Sequence, residues 1–351
     1  MGNIEEKLKK AMEAFDKGDY RTSLEIFKPW AEQGNAKAQF YIGFLYRIGQ
    51  GFKQDFQQAF HWYSLAADQG YAEAQYKIGL MHYKGQVVPQ DYQKAFHWYS
   101  LAAKQGDAKA QFNLGVLYRR GQGVTQDQRE AFNWFLLAAE QGYAIAQFTL
   151  AGVYEKGEGI GQDYAEAVQW LTLAGEQGYA DAQYKLGWMY YHGEGVPQDY
   201  PKAFKWYSLG AEQGDAKAQF SLGVMYDNGQ GVTQDYKQAF KWYSLAAEQG
   251  NVKAQFFLGC MYEEGQGVVQ DYAEAIKWYS LAAEQGDAMA QYNLGCMYAD
   301  GQAGTQDFIQ AHKWFNIAGA SGDERAGKVR GLLEKEMTPE QIAEAERLVR
   351  E

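Results

Sequence analysis

DAKAQFNLGVLYRRGQGVTQDQREAFNWFLLAAEQG, residues 107–142, reads as one helical hairpin. Ala108, Ala110, Phe112, Leu114, Gly115, Leu117 and Tyr118 put apolar and small side chains at helical spacing. Asp107 stands where an N-cap accepts from the helix's free N–H groups. Gly121-Gln122-Gly123 ends that helix in a loop whose backbone angles favour glycine. Asp127 then caps a second helix through Ala131, Trp134, Phe135, Ala138 and Ala139, which Gly142 stops as a left-handed cap. Gly115 against Ala131 lets the two helices approach closely.

The same hairpin recurs along the chain. Trp62, Trp98, Trp134, Trp170, Trp206, Trp242, Trp278 and Trp314 lie 36 residues apart, and Gln39, Gln75, Gln111, Gln147, Gln183, Gln219, Gln255 and Gln291 keep that step. One fixed period of this size marks a repeat array, in which each unit packs on its neighbours and only the varying residues can carry specificity. A compact core stops growing near ~250–300 residues, and the 351 residues here predict one elongated domain instead. The expected fold is all-α, a right-handed superhelical α-solenoid of helix-turn-helix repeats. Residues 1–34 are expected to form an N-terminal capping hairpin, 35–322 eight repeats of 36 residues, and 323–351 C-terminal capping helices. In the first cap Ile4, Leu8, Ala11 and Phe15 form one stripe, with a turn at Gly18-Asp19-Tyr20 and Leu24 and Phe27 on the second helix. In the last, residues 323–335 read as a helix, and Thr338-Pro339-Glu340-Gln341 is a capping box with proline at the first helical position.

The unit A-x-A-Q-x-x-L-G-x-x-Y-x-x-G-x-G-V-x-Q-D-Y-x-x-A-x-x-W-Y-x-x-A-A-E-Q-G resembles the Sel1-like repeat, a relative of the tetratricopeptide repeat with a longer inter-helix loop. The resemblance covers about residues 35–322. Departures are local: His82 fills a tyrosine slot and Val87 a loop-glycine slot. Repeat four has Ala151-Gly152, Leu171-Thr172 and Gly175, and repeat eight has the loop Gly301-Gln302-Ala303-Gly304 and His312 for Phe. Glycine inside a helix costs up to ~1 kcal/mol relative to alanine, so repeat four is the expected weak joint. The resemblance implies a bacterial, non-enzymatic scaffold or adaptor that binds a protein segment in a concave groove. Its alternative is a secreted or periplasmic factor that engages a host or envelope protein, and weak self-association through an end cap is a third option.

A net charge of −11 argues against nucleic-acid binding, which needs a basic stripe. No stretch approaches the ~20 apolar residues of a membrane span, and the start has no signal-peptide pattern. The default expectation is therefore cytoplasmic, with a periplasmic or secreted location if a leader has been removed. Cys260 and Cys296 lie one period apart, a separation of roughly 8–10 Å between packed helices, beyond the ~7 Å reach of a disulfide. They read as small apolar fillers. His61, His82, His97 and His312 lack ligand partners at helical spacing, so no metal or other cofactor is expected.

By analogy with tetratricopeptide repeats, positions 37, 40, 44, 47 and 48 and their equivalents face the groove. Position 40 is always aromatic, including Phe40, Tyr76 and Phe112; these rings either fill the core between repeats or form a partly exposed ladder for a bound segment. The last two positions follow a trend. Repeats one to four carry Arg47, Lys84, Arg119, Arg120 and Lys156 against Glu155, whereas repeats five to eight carry Asp227, Glu263, Glu264 and Asp300. Complementary patches orient a partner, so the first half is expected to take an acidic segment; a solvated face without a partner is the alternative. Tyr191 and His192 sit where the sign changes, and a groove histidine would make affinity pH-sensitive.

No catalytic residue is expected. The glycine loops follow helices rather than strands and lack a phosphate-cradle motif, while the recurring Gln-Asp pair reads as a pre-cap residue and an N-cap. Cys-rich relatives of the Sel1 family are associated with β-lactam binding, which would want Ser-x-x-Lys. Ser100 and Lys104 are one residue too far apart, and Ser64, Ser208, Ser244 and Ser280 mark the serine as a scaffold position.

Overall fold

A computed structural model of the chain describes residues 2–50, 53–302 and 304–350, with side chains described from residue 5. Twenty helices, and no strand, are found among them. Two compact bodies divide the chain, Met1–Gln177 and Gly178–Glu351. The first holds α1 (Gly2–Asp16), α2 (Tyr20–Glu32), α3 (Ala36–Ile48), α4 (Phe56–Asp68), α5 (Ala72–Lys84), α6 (Tyr92–Lys104), α7 (Ala108–Arg120), α8 (Gln128–Glu140), α9 (Ala144–Lys156) and α10 (Tyr164–Glu176). The second holds α11 (Ala180–His192), α12 (Tyr200–Glu212), α13 (Ala216–Asn228), α14 (Tyr236–Glu248), α15 (Val252–Glu264), α16 (Tyr272–Glu284), α17 (Ala288–Asp300), α18 (Phe308–Ala320), α19 (Glu324–Leu333) and α20 (Pro339–Arg350).

The punctuation follows from capping chemistry. Asp107 accepts from the Ala110 N–H at 2.7 Å, and Asp127 from those of Arg129 and Glu130 at 2.9 and 3.0 Å. Gly121 takes φ +65° as the C-cap of α7, the left-handed conformation that only glycine enters at no steric cost. The glutamine before each second-helix cap is more than a spacer: Gln126 Nε2 donates to the Arg119 carbonyl at 2.9 Å. Six equivalents, from Gln54 to Gln270, do the same. Each ties the loop to the unsatisfied carbonyl end of its first helix.

Val87 is the non-glycine residue with positive φ (+72°) among the described residues. A β-branched residue there costs about 1–2 kcal/mol, and the side chain packs against the core of repeats one and two. Ala303, which occupies the same position in repeat eight, lies outside the described residues, as does the Ile4 side chain.

Inside each hairpin a glycine of the first helix meets an aromatic ring of the second. Ideal Cβ atoms at Gly43, Gly79 and Gly115 would stand 2.8, 2.7 and 2.7 Å from the rings of Tyr63, Tyr99 and Phe135, which are all fully buried. Repeat four keeps the packing by changing both partners, with Ala151 buried in the glycine slot and Leu171 in the ring slot. Between repeats a buried glutamine makes the link. Gln111 Nε2 donates to the Ala103 carbonyl of the previous hairpin at 3.2 Å, and its Oε1 accepts from Gln141 Nε2 at 2.6 Å. The pattern repeats at Gln39, Gln75, Gln219 and Gln255.

At the ends, α1 and α2 bury Ala11, Phe27 and Ala31. Thr338 and Gln341 form a reciprocal box, Thr338 N–H to Gln341 Oε1 at 2.8 Å and Gln341 N–H to Thr338 Oγ1 at 3.3 Å. His312, buried in α18, pairs its Nε2 with Glu334 Oε1 at 3.0 Å and so ties the last hairpin to the cap.

Gly152, inside α9, has open space where a Cβ would stand. Gly152→Ala is therefore expected to stabilise the chain by about 0.5–1 kcal/mol, read as a higher unfolding midpoint. Amide exchange should be faster at 147–175 than in the flanking hairpins, and uniform protection would remove repeat four as the weak joint.

Candidate functional site

The first-helix face of the first body is basic. Arg47, Lys84, Arg119, Arg120 and Lys156 occupy the last turns of α3, α5, α7 and α9, where cations favour the helix dipole. Arg47 lies 4.8 Å from the Phe44 ring and is half-buried. Beside it, burial pushes the Tyr63 hydroxyl up to about 12 against the opposing pull of that guanidinium. Arg119 sits 5.4 Å from the Phe135 ring, and Arg120 donates to the Tyr83 hydroxyl at 3.3 Å. Lys84 and Lys156 are exposed, the latter 3.6 Å from Glu158. Lys77 joins this set from a position that sequence reasoning left out. Burial, and then the nearby charges of Arg47, Lys109 and Lys84, hold its pKa below the usual lysine range against the opposing pull of Asp107.

The aromatic position belongs mainly to the core. Phe40 is 9% exposed, with its ring 5.5 Å from Tyr63 and 5.2 Å from Tyr71 of the next repeat. Phe112 packs the same way on Phe135 and Tyr143, and Tyr76 on Tyr99. Phe40 and Phe112 thus join successive hairpins, whereas Tyr184 and Phe220 at the same position line a pocket.

The second body reverses the sign at the helix ends. Asp227, Glu263, Glu264 and Asp300 stand in the last turns of α13, α15 and α17, against the dipole. Two find donors in the core. Tyr243 donates its hydroxyl to Asp227 Oδ2 at 3.2 Å, and Tyr279 donates to Glu263 Oε2 at 2.7 Å with Cys260 Sγ at 3.1 Å. Burial raises the Asp227 carboxyl. Glu264 and Asp300 are exposed. Position 47 thus carries a carboxylate over a tyrosine hydroxyl in repeats six and seven, and an arginine in repeats one and three, beside Tyr63 and Phe135.

Cys260 and Cys296 are free and half-buried. Burial pushes the Cys260 thiol up to about 11, with the Tyr279 hydrogen bond opposing, so at pH 8 only about a thousandth is thiolate. A disulfide reagent should therefore label Cys260 in the folded chain roughly a hundredfold more slowly than a free cysteine, with the rate rising as pH climbs toward 11. Fast labelling at pH 8 would contradict the packing.

Tyr191 and His192 line a pocket of ≈ 380 Å³ formed by α11, α13 and the start of α15. Tyr184, Trp188 and Phe220 supply further aromatic wall, and Lys217 and Lys253 stand at its edge. The His192 ring lies 4.7 Å from that of Trp188 and 4.9 Å from that of Tyr191, and the Tyr191 hydroxyl donates to Gln230 Oε1 at 2.6 Å. Two signals for this pocket lay in the sequence. Position 44 is largest at Trp188, and position 37 is lysine in two successive repeats.

Among the described residues, no group of three or more His, Cys, Asp or Glu could hold a metal ion. No helix among them is long and apolar enough to cross a membrane.

The Sel1 repeat family matches eight consecutive segments, residues 36–71, 72–107, 108–143, 144–179, 180–215, 216–251, 252–287 and 288–323. The chain is similar to a protective antigen of uropathogenic Escherichia coli strains that displays an SLR fold. They share 40% identity over 92% of this chain and 69% of that one, with TM-score 0.86. It is also similar to a Sel1 repeat protein from Oxalobacter formigenes, at 34% identity over 88% and 89% of the two chains, with TM-score 0.64. No curated protein matches it.

Proposed function

Because this chain belongs to the Sel1 repeat family, whose members generally mediate protein–protein interaction on a typically non-enzymatic scaffold, we propose that it is an adaptor whose basic first-helix face holds an acidic segment of a partner. The observation that supports this is the row formed by Arg47, Lys77, Lys84, Arg119 and Arg120 on a chain of net charge −11. Helix dipoles account for a cation in each last turn, worth about 0.3–1 kcal/mol. They do not account for Lys77, which is half-buried among like charges at a cost to the fold. A carboxylate-rich segment would offset that repulsion. On this reading the chain acts by binding, and its repeated Gln-Asp pairs serve as loop tethers and caps.

The test is affinity capture from a native lysate of the producing organism, comparing the chain with Arg119→Glu/Arg120→Glu by mass spectrometry. A protein held by the first and lost from the second, with capture falling as salt rises, is the expected result. Equal capture by both would remove the basic face as the binding surface.

The protective-antigen description of the 40%-identical relative favours a second reading, in which the partner is a host or envelope protein met outside the cytoplasm. Detection of the chain in periplasm or culture supernatant would support it, and confinement to the cytoplasm would end it.

A further inference from the structure

We propose that the aromatic pocket of the second body is a separate anchor, which takes one aromatic side chain of a partner protein together with an acidic side chain beside it. The pocket combines aromatic rings with the polar side chains of His192, Ser221, Asn251, Lys217 and Lys253. Tyr191 has its hydroxyl engaged by Gln230, and the Tyr207 hydroxyl is buried and hydrogen-bonded to Ser221. Trp188 and Phe220 add rings without hydroxyls. Tyr and Trp faces of this kind bury aromatic partners in offset or edge-on contact.

The charge around the rings selects the rest of the ligand. Among the described residues no Asp or Glu lines the pocket, while Lys217 and Lys253 do. Asp215 lies near enough to act on the Tyr184 hydroxyl, but it is engaged as the cap of α13, accepting from the Ala218 N–H at 2.7 Å. The start of α15 is capped by neutral Asn251, so the positive end of that helix adds to the charge of Lys253. A cationic ligand is disfavoured. Lys217, 5.8 Å from the Tyr184 ring, and Lys185, 4.8 Å from the Trp188 ring, would repel a further cation there. An acidic side chain next to an aromatic one meets both features at once. Most of the lining comes from the first helices α11, α13 and α15.

This anchor lies wholly within the second body and stands or falls independently of the basic face. The probe is a blocked tetrapeptide, glycine–4-fluorophenylalanine–glutamate–glycine, followed by ¹⁹F NMR on the full chain. Saturable broadening is expected, about tenfold weaker for the glutamine analogue and for Lys217→Gln/Lys253→Gln, absent in Trp188→Ala, and unchanged in Arg119→Glu/Arg120→Glu. Both lysines are exposed, so their double variant should keep the parent's unfolding midpoint and remain informative if the tryptophan variant unfolds. Equal binding of both peptides, no effect of the lysine changes, no saturable binding, or loss in the arginine variant would each overturn the proposal.

Discussion

Replacing Gly115 by alanine will destabilise the chain by about 2 kcal/mol, because overpacking a filled core costs ~1–3 kcal/mol and the gain in helix propensity returns at most ~1. The added methyl would stand 2.7 and 2.8 Å from two carbons of the Phe135 ring and 3.1 Å from the Ala131 carbonyl. The ring is fully buried and sits on α8, so relief requires the hairpin to open. Phe135→Leu alone should also destabilise, by leaving a cavity. Together the two changes reproduce the Ala151 and Leu171 pair of repeat four. The double variant is therefore expected within about 1 kcal/mol of the parent, far above the sum of its parts. Thermal unfolding of the four chains, followed by circular dichroism, checks this. Additive losses would mean that the contact between glycine and ring does not set the hairpin spacing.

The second large effect is expected at the glutamine link. Gln111→Leu removes the donor to the Ala103 carbonyl and the acceptor for Gln141. Leaving a buried polar group unmet costs about 1–3 kcal/mol, and Gln111 is only 5% exposed. Gln141→Leu strands only the Gln111 Oε1 and leaves the bond to the Ala103 carbonyl in place, so it should cost less, about 1 kcal/mol. An inverted order of the two losses would show that the ladder is held from its outer end. Because interfaces between repeats add to the stability of each repeat, the Gln111 loss should also appear as faster amide exchange on both sides of that junction.

The hairpins could be read from residues alone. Asp107, Gly121, Asp127 and the 36-residue step fix each boundary through local capping chemistry, and local chemistry does not depend on what lies across the interface. The departures named in repeats two and four fell where the backbone or packing is unusual, at Val87 and at Ala151-Gly152. The candidate site was less legible. Tyr191 and His192 stood out because the charge trend changes sign there, but Trp188, Lys217 and Lys253 come from three different repeats and meet only once the helices are packed. Phe40 illustrates the opposite limit, since an invariant aromatic position looks the same in sequence whether it faces a partner or, as here, the next repeat. Lys77 was missed because position 41 has no trend of its own; its role rests on Arg47, Lys84 and Lys109 lying close by.

Where a position-47 side chain pairs with the ring below it, as at Asp227 and Arg119, the pairing constrains how such a chain can acquire a new partner. Changing Asp227 to a cation strands the Tyr243 hydroxyl, and changing Arg119 to an acid sets a carboxylate over the Phe135 face. A new recognition surface therefore cannot be assembled one substitution at a time without passing through weakened intermediates. Its natural currency is the whole hairpin, duplicated, deleted or exchanged as a cassette, with the buried glutamine offering the same junction to whichever neighbour arrives.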